Sequence, residues 1–316
     1  MSNLSQLLDN LLFLLYNLSM QKLVECIPNF SEGRNIKVIK AIFNVAQTIK
    51  TVKVFGLEYN KDHNRFLFTI LGAPQNVMAS VFASIRTAVK LIDMEKHRGE
   101  HPRIGAVDVV PFVPVSGVAM KECVALAKQL GKKVAKKFHI PVYLYEAAAT
   151  RPNRRNLADI RKGEYENLKT EIKTNKDRKP DYGPCAMHPT AGAVVIGARK
   201  YLIAFNVNLD TKSVAVGKKI ASRIREKNGG LPGVKALCFK VAGYAQVSMN
   251  LVDFEKTNFD EAFRAIEKEA KRFGARIRSS EIYGMIPLMA LMRAVQTTFN
   301  MKTFTADQVL EKKIYE

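Results

Sequence analysis

The chain has 316 residues, 47% of them apolar, enough to bury a substantial core in one or two domains. Its 50 lysines and arginines against 29 acidic residues give a net charge of +21, which favours anionic partners: nucleic acid, an anionic membrane surface or small multi-carboxylate substrates. The four cysteines, Cys26, Cys123, Cys185 and Cys238, form no CxxC pair and read as reduced thiols of a cytosolic protein, which excludes a disulfide scaffold.

Residues 1–19 carry the apolar run Leu11-Leu12-Phe13-Leu14-Leu15 without a basic start or a small-residue cleavage site. The run is too short to span a bilayer, so it reads as an N-terminal extension, with Met20 a second candidate start. A strand over 23–30 and a turn-rich loop then lead into a helix over 36–49, with Asn35 as N-cap. Two strands follow over 52–59 and 65–71, and a helix over 74–94 has Val77, Met78, Val81, Phe82, Ile85, Val89 and Leu91 at helical spacing. A strand over 106–113, a helix over 120–138 and a strand over 142–145 complete the first pattern.

Residues 150–184 are polar and irregular, with Arg151, Arg154, Arg155 and Arg161, and read as a connection or a working loop. The second half repeats the first: strands over 201–209, 234–241, 246–254 and 277–283, helices over 214–226, 259–273 and 286–299. The segment 305–316 reads as a short polar helix. Two βαββαβ patterns predict an α+β fold of two ferredoxin-like subdomains, 20–198 and 199–300, with a tail over 301–316. Each unit has one sheet face covered by helices, so the simplest packing sets sheet to sheet with the helices outside and a cleft between.

Chemistry concentrates in His97-Arg98-Gly99-Glu100-His101-Pro102-Arg103-Ile104-Gly105-Ala106-Val107-Asp108. Two imidazoles, two guanidiniums and a carboxylate stand between a helix and a strand, where Gly99 and Pro102 stop the helix. Imidazole works near neutral pH and guanidinium takes carboxylates in a forked geometry. No Walker A loop, GxGxxG or GxSxG occurs, and Cys185-x-x-His188 lacks a second pair, so no metal is expected. The strands lack the stacking aromatics of RNA-binding modules, so no nucleic acid is expected either.

Several stretches resemble the glutamate formimidoyltransferase family, also found as the first domain of formimidoyltransferase-cyclodeaminase. They include Leu23-Val24-Glu25-Cys26-Ile27-Pro28-Asn29-Phe30-Ser31-Glu32-Gly33, Asp62-His63-Asn64-Arg65, Gly99-Glu100-His101-Pro102-Arg103 and Arg161-Lys162-Gly163-Glu164-Tyr165-Glu166. Gly197-Ala198-Arg199-Lys200 and Ala204-Phe205-Asn206-Val207-Asn208-Leu209 continue the match in collinear order to about Val295.

The resemblance implies transfer of a formimidoyl group from N-formimidoyl-L-glutamate to the 5-nitrogen of tetrahydrofolate, in histidine breakdown. It implies a cytoplasmic homodimer without metal, in which tetrahydrofolate is a substrate and His101 the catalytic acid/base. The folate-contacting loop falls on Gly183, Pro184, Cys185, Ala186, Met187, His188, Pro189, Thr190, Ala191 and Gly192. No cyclodeaminase activity is expected. Glu58, Asp62 or Glu100 would hold the cationic amidinium and Arg65, Arg98 or Arg103 the donor carboxylates, each equally readable as a structural ion pair. A formyl donor, or 5-formyltetrahydrofolate, is an alternative within the family, and a basic nucleic-acid-binding protein is the alternative outside it.

Overall fold

The structure, a computed structural model, describes residues 22–315, so the N-terminal extension and the Met20 start lie outside the described residues. The chain divides into two compact units with the boundary between Arg199 and Lys200. It is a mixed α+β protein with two sheets.

The first unit runs β1 (Leu23–Cys26), β2 (Asn29–Phe30), α1 (Ile36–Ala46), β3 (Val52–Asn60), β4 (Arg65–Gly72), α2 (Pro74–Leu91), β5 (Val107–Ser116), α3 (Met120–Phe138) and β6 (Val142–Glu146). It continues through α4 (Leu157–Ile160), α5 (Glu164–Thr174) and β7 (Val194–Ala198). The single strand expected over 23–30 is two, because Ile27-Pro28 interrupts it and proline has no N–H to give to a ladder. Both pieces pair antiparallel with β4 on one side and β5 on the other, and β3 pairs antiparallel with β4 at the edge.

Local rules account for the helices. The Asn35 side chain accepts hydrogen bonds from the Lys37 and Val38 N–H groups and starts α1, and Pro74 takes the first turn of α2. Strict alternation in β4 sends Phe66, Phe68 and Ile70 into the core that α1, α2 and α3 also fill, and turns Arg65 and Leu67 to the opposite face. Phe30 stacks on Phe66 at 4.8 Å and on Phe68 at 5.5 Å, contacts worth about 0.5–1.5 kcal/mol each beyond area burial.

Two segments differ from the sequence expectation. The polar stretch 150–184 is not irregular throughout: α4 and α5 lie in it, and Ile160, Leu168 and Ile172 join Val109, Tyr143, Tyr145 and Val195 in a second, smaller core. Strand β7 was not expected at all. It inserts parallel between β5 and β6, so the sheet has seven strands rather than four plus an edge. Buried on both faces, Val194-Val195-Ile196-Gly197-Ala198 shows no polar alternation to mark it.

The second unit runs β8 (Ile203–Leu209), α6 (Val214–Ile224), β9 (Val234–Val241), β10 (Tyr244–Leu251), α7 (Phe259–Arg272), β11 (Ile277–Tyr283), α8 (Leu288–Phe299) and α9 (Leu310–Tyr315). Its four strands are ordered β11-β8-β10-β9, every neighbouring pair antiparallel.

Within the first unit, Gly105 sits where a Cβ would lie 1.8 Å from the Ala193 carbonyl oxygen and 2.7 Å from that of Ala191. Backbone must move to admit a methyl there, so Gly105→Ala is expected to cost more than about 3 kcal/mol in urea unfolding. Gly56→Ala, at φ +65° with only an ordinary contact to Thr69, should cost about 1–2 kcal/mol. Equal costs would show that the close approach at Gly105 does not matter.

Candidate active site

The site starts with a backbone join. Ala106 N–H donates to the Ala191 carbonyl at 2.9 Å, Ala193 N–H to the Ile104 carbonyl at 3.0 Å and Met94 N–H to the Thr190 carbonyl at 2.7 Å. Ser31 closes the third side, its hydroxyl on the Gly105 carbonyl at 2.7 Å and its N–H on the Ala106 carbonyl at 3.0 Å. The segment that follows His101 and the end of the 183–192 loop are therefore one piece of structure. Gly192, at φ +70° with the Tyr165 ring beside it, makes the turn that allows it.

Asn64 fixes the other side of the His101 loop. It is buried at φ +49°, its Oδ1 takes the Gly33 N–H at 2.8 Å and its Nδ2 donates to the Arg98 carbonyl at 2.9 Å. Its own carbonyl accepts from His97 Nε2 at 2.8 Å, which leaves His97 Nδ1 to accept from Arg103 Nε at 3.3 Å. Arg103 is buried and forks onto Glu166 at 2.6 and 2.9 Å, with Glu164 at 2.7 Å. His97 and Arg103 thus clamp the loop to α5. Burial holds the His97 imidazole below its ordinary value, and the two carboxylates hold the Arg103 guanidinium up against the opposing effect of burial.

His101 has different company. Arg65 Nη1 lies 3.2 Å from His101 Nε2 and 3.1 Å from Asn29 Oδ1. A guanidinium only donates, so Nε2 accepts and the ring keeps its hydrogen on Nδ1, consistent with a further bond to the Pro102 carbonyl. Arg161 stands near both and bonds Asp108 through Nη2 and Nε, while buried Asp108 also takes the Ile104 N–H at 3.0 Å. The His63 ring is 6.1 Å away, centroid to centroid. Burial first, then Arg65, Arg161 and His63, push the His101 imidazole down to about 2, so at working pH it is a neutral base.

The residues singled out from sequence divide accordingly. Glu58, half-buried on β3, acts electrostatically on Arg65. Asp62 and Glu100 are exposed neighbours, the Glu100 N–H donating to the Asp62 carbonyl at 3.2 Å. Arg98 is exposed and bonds the Glu95 and His97 carbonyls. In the 183–192 loop, Gly183, Pro184, Cys185, Pro189 and Thr190 are exposed, Met187 packs on the core, and His188 Nδ1 accepts the Thr190 and Ala191 N–H groups. Asn29, Arg161 and Asp108 complete the His101 cluster and were not singled out as site residues. Among the described residues no group of three or more His, Cys, Asp and Glu side chains could hold a metal ion, and no helix is long and apolar enough to cross a membrane.

A neutral imidazole between two guanidiniums suits an enzyme that moves protons on a small carboxylate-bearing substrate, and an α+β transferase is the class this site fits. Comparison with known proteins makes it particular: the chain belongs to the formiminotransferase domain family, whose N-terminal subdomain matches residues 23–199 and whose following domain matches 204–314. It is 45% identical to the glutamate formimidoyltransferase of Thermoplasma acidophilum, over 92% of this chain and 97% of that one. It is 42% identical to the enzyme of the same name from Streptococcus pyogenes serotype M1, over 93% and 99%. The formimidoyltransferase-cyclodeaminase of Mus musculus is 43% identical over 87% of this chain, which spans 52% of that longer protein.

The depressed His101 has a stability consequence. An unfolded histidine takes its proton near 6.5, the folded one only near 2, so the unfolded state binds more protons between those values and wild-type stability falls as pH falls below 6.5. His101→Gln lacks this loss. Urea midpoints at pH 7 and pH 5 should therefore shift in favour of the variant at the lower pH, and parallel shifts would contradict a His101 held neutral in the folded state.

Proposed function

We infer that this chain transfers the formimidoyl group from N-formimidoyl-L-glutamate to tetrahydrofolate, giving 5-formimidoyltetrahydrofolate and glutamate. The observation that carries the reading is the neutral His101 imidazole beside Arg65, in a chain 42–45% identical over more than nine-tenths of its length to two glutamate formimidoyltransferases.

In this reading the folate N5 lone pair attacks the amidinium carbon, and the carbon–nitrogen π pair moves onto nitrogen to give a tetrahedral carbon bearing three nitrogens. His101 Nε2 takes the proton from N5 and delivers it to the glutamate nitrogen. The bond from carbon to that nitrogen then breaks, glutamate leaves as the amine with the bonding pair, and the remaining amino nitrogen re-forms the C=N bond. Proton transfer of this kind is worth roughly a hundredfold to ten-thousandfold. The amidinium is already electrophilic, so the step asks for no metal.

Glu58 is proposed to face the cationic amidinium, which its half-buried position on β3 and its effect on Arg65 support, with Asp62 and Glu100 nearer solvent. The 183–192 loop is proposed to contact the folate, which its backbone join to the His101 segment supports. Each unit is proposed as a ferredoxin-like subdomain, over 20–198 and 199–300. The second sheet supports this in its strand order, fourth-first-third-second, and β5-β1-β4-β3 gives the first the same arrangement. A homodimer and a cytoplasmic location complete the proposal on the family resemblance.

Absorbance change on mixing the purified protein with tetrahydrofolate and N-formimidoyl-L-glutamate is expected for the wild type. A folded His101→Ala variant should lose roughly a hundredfold or more. Turnover only with N-formyl-L-glutamate would reassign the donor, and silence with both donors would end the enzyme reading.

A further inference from the structure

Arg65 and Arg103 differ in one respect that matters for ligands. Arg103 is satisfied by two glutamates, whereas no carboxylate forms an ion pair with Arg65 among the described residues. Arg65 is nevertheless half-buried, and burial together with Arg161 works against its charge. Its Nη1 is shared between an amide oxygen, Asn29 Oδ1, and an imidazole nitrogen, both weaker acceptors than a carboxylate. Arg161 spends Nε and Nη2 on Asp108, which the Ile104 N–H pins in turn, and this leaves Nη1 without a bond among the described residues. Two fixed cations with unused donors therefore flank the neutral His101 ring.

We propose that Arg65 and Arg161 seat the two carboxylates of the donor, and that the donor itself uncovers His101 by drawing Arg65 away from Nε2. This rests on the reading of the site as a formimidoyl-glutamate transferase and adds to it the residues that hold the substrate and the order in which the base becomes available. While Arg65 donates to Nε2, the lone pair that must take a proton is covered. A carboxylate offers Arg65 an opposite charge and a two-bond fork in place of a single neutral acceptor, so the exchange favours the donor.

The same exchange changes the field on the ring. The groups acting on His101 are Arg65 from β4, Arg161 beyond α4, His63 from the β3–β4 turn and the Pro102 carbonyl, with Asp108 from β5 and Glu58 from β3 acting on Arg65. Three of these disfavour an imidazolium and only the Pro102 carbonyl favours it directly. Two incoming carboxylates reverse that balance, so the ring can carry the proton it moves only when the donor is present. Tetrahydrofolate alone leaves the base covered.

The test is 15N imidazole NMR of the full chain labelled in histidine, with His101 assigned by loss of its signals in His101→Gln and with L-glutamate, the reaction product, as the probe. Without ligand, His101 should show no titration between pH 5 and 8. Saturating L-glutamate should bring a titration into that window, and L-glutamine, which lacks the side-chain carboxylate, should not. Arg161→Gln should abolish the response and raise the KM for the donor roughly tenfold or more, while Arg161→Lys, which keeps the charge but not the fork, should recover part of both. A free-protein titration near the ordinary histidine value, or no response of the wild type to glutamate, would overturn the proposal even if formimidoyl transfer is observed. A glutamate response without turnover of N-formimidoyl-L-glutamate would leave the seat standing and remove the transferase reading instead.

Discussion

The backbone join between Ile104–Ala106 and Ala191–Ala193 is the constraint on which the rest of the site depends. The reciprocal hydrogen bonds leave no room for a side chain at Gly105, and Ser31 binds the neighbouring Gly105 and Ala106 carbonyls from a third direction. Each such bond contributes only about 1 kcal/mol net, but a buried peptide group left without its partner costs about 1–3 kcal/mol. The join is therefore made completely or not at all. Because it fixes the chain three residues beyond His101, the polar loop that carries the imidazole needs no apolar packing of its own. Exposed Glu100 and Pro102 on either side of the ring are tolerated for that reason.

Two histidines four residues apart make the same pattern of bonds, one nitrogen to a carbonyl and the other to an arginine, and the difference lies in what those arginines touch. His97 has one nitrogen on the Asn64 carbonyl and one on Arg103, whose other donors Glu164 and Glu166 already hold, so it transmits position. His101 meets a cation at Nε2 and no carboxylate. The arginines sort the same way. Arg103 is neutralised by Glu164 and Glu166, which join the loop to α5, and Arg161 is paired with Asp108, while Arg65 has no carboxylate in an ion pair among the described residues. The net charge of +21 is spread over the whole chain, and beside His101 it takes the form of two half-buried guanidiniums of which only Arg161 has an ion-paired carboxylate among the described residues.

What could be read from the sequence was local. Asn35 as a cap and the helix Met120–Phe138 are set by neighbours within a turn or two, and both stand as expected. The density of titratable groups around His101 was equally visible. Its surroundings were not, since Arg65, which meets the ring, and Asn29, which holds Arg65, come from strands at least 36 residues away and are brought together by the β2–β4 pairing. Arg161 was hidden for another reason: a polar, arginine-rich stretch looks like a linker until Ile160, Leu168 and Ile172 are seen to pack against the sheet. Arg103 shows the converse limit, because residue type alone cannot tell a guanidinium that meets substrate from one that Glu166 already holds.

A base that is neutral at every working pH is never lost to protonation, but it is also a weak one, and proton transfer is most effective when the catalyst's affinity for the proton matches the operating pH. The free site stands far from that match, with burial and two cations holding the ring neutral. A carboxyl group built in beside His101 would have corrected this permanently. It would also have neutralised Arg65 and removed the attraction for an anionic donor. Leaving Arg65 without a carboxylate lets one set of charges serve both recognition and activation, since the ligand that satisfies the guanidinium is the ligand that makes an imidazolium acceptable. The unpaired arginine is thus part of the reaction's selectivity, because a donor lacking its carboxylates would meet a histidine still covered.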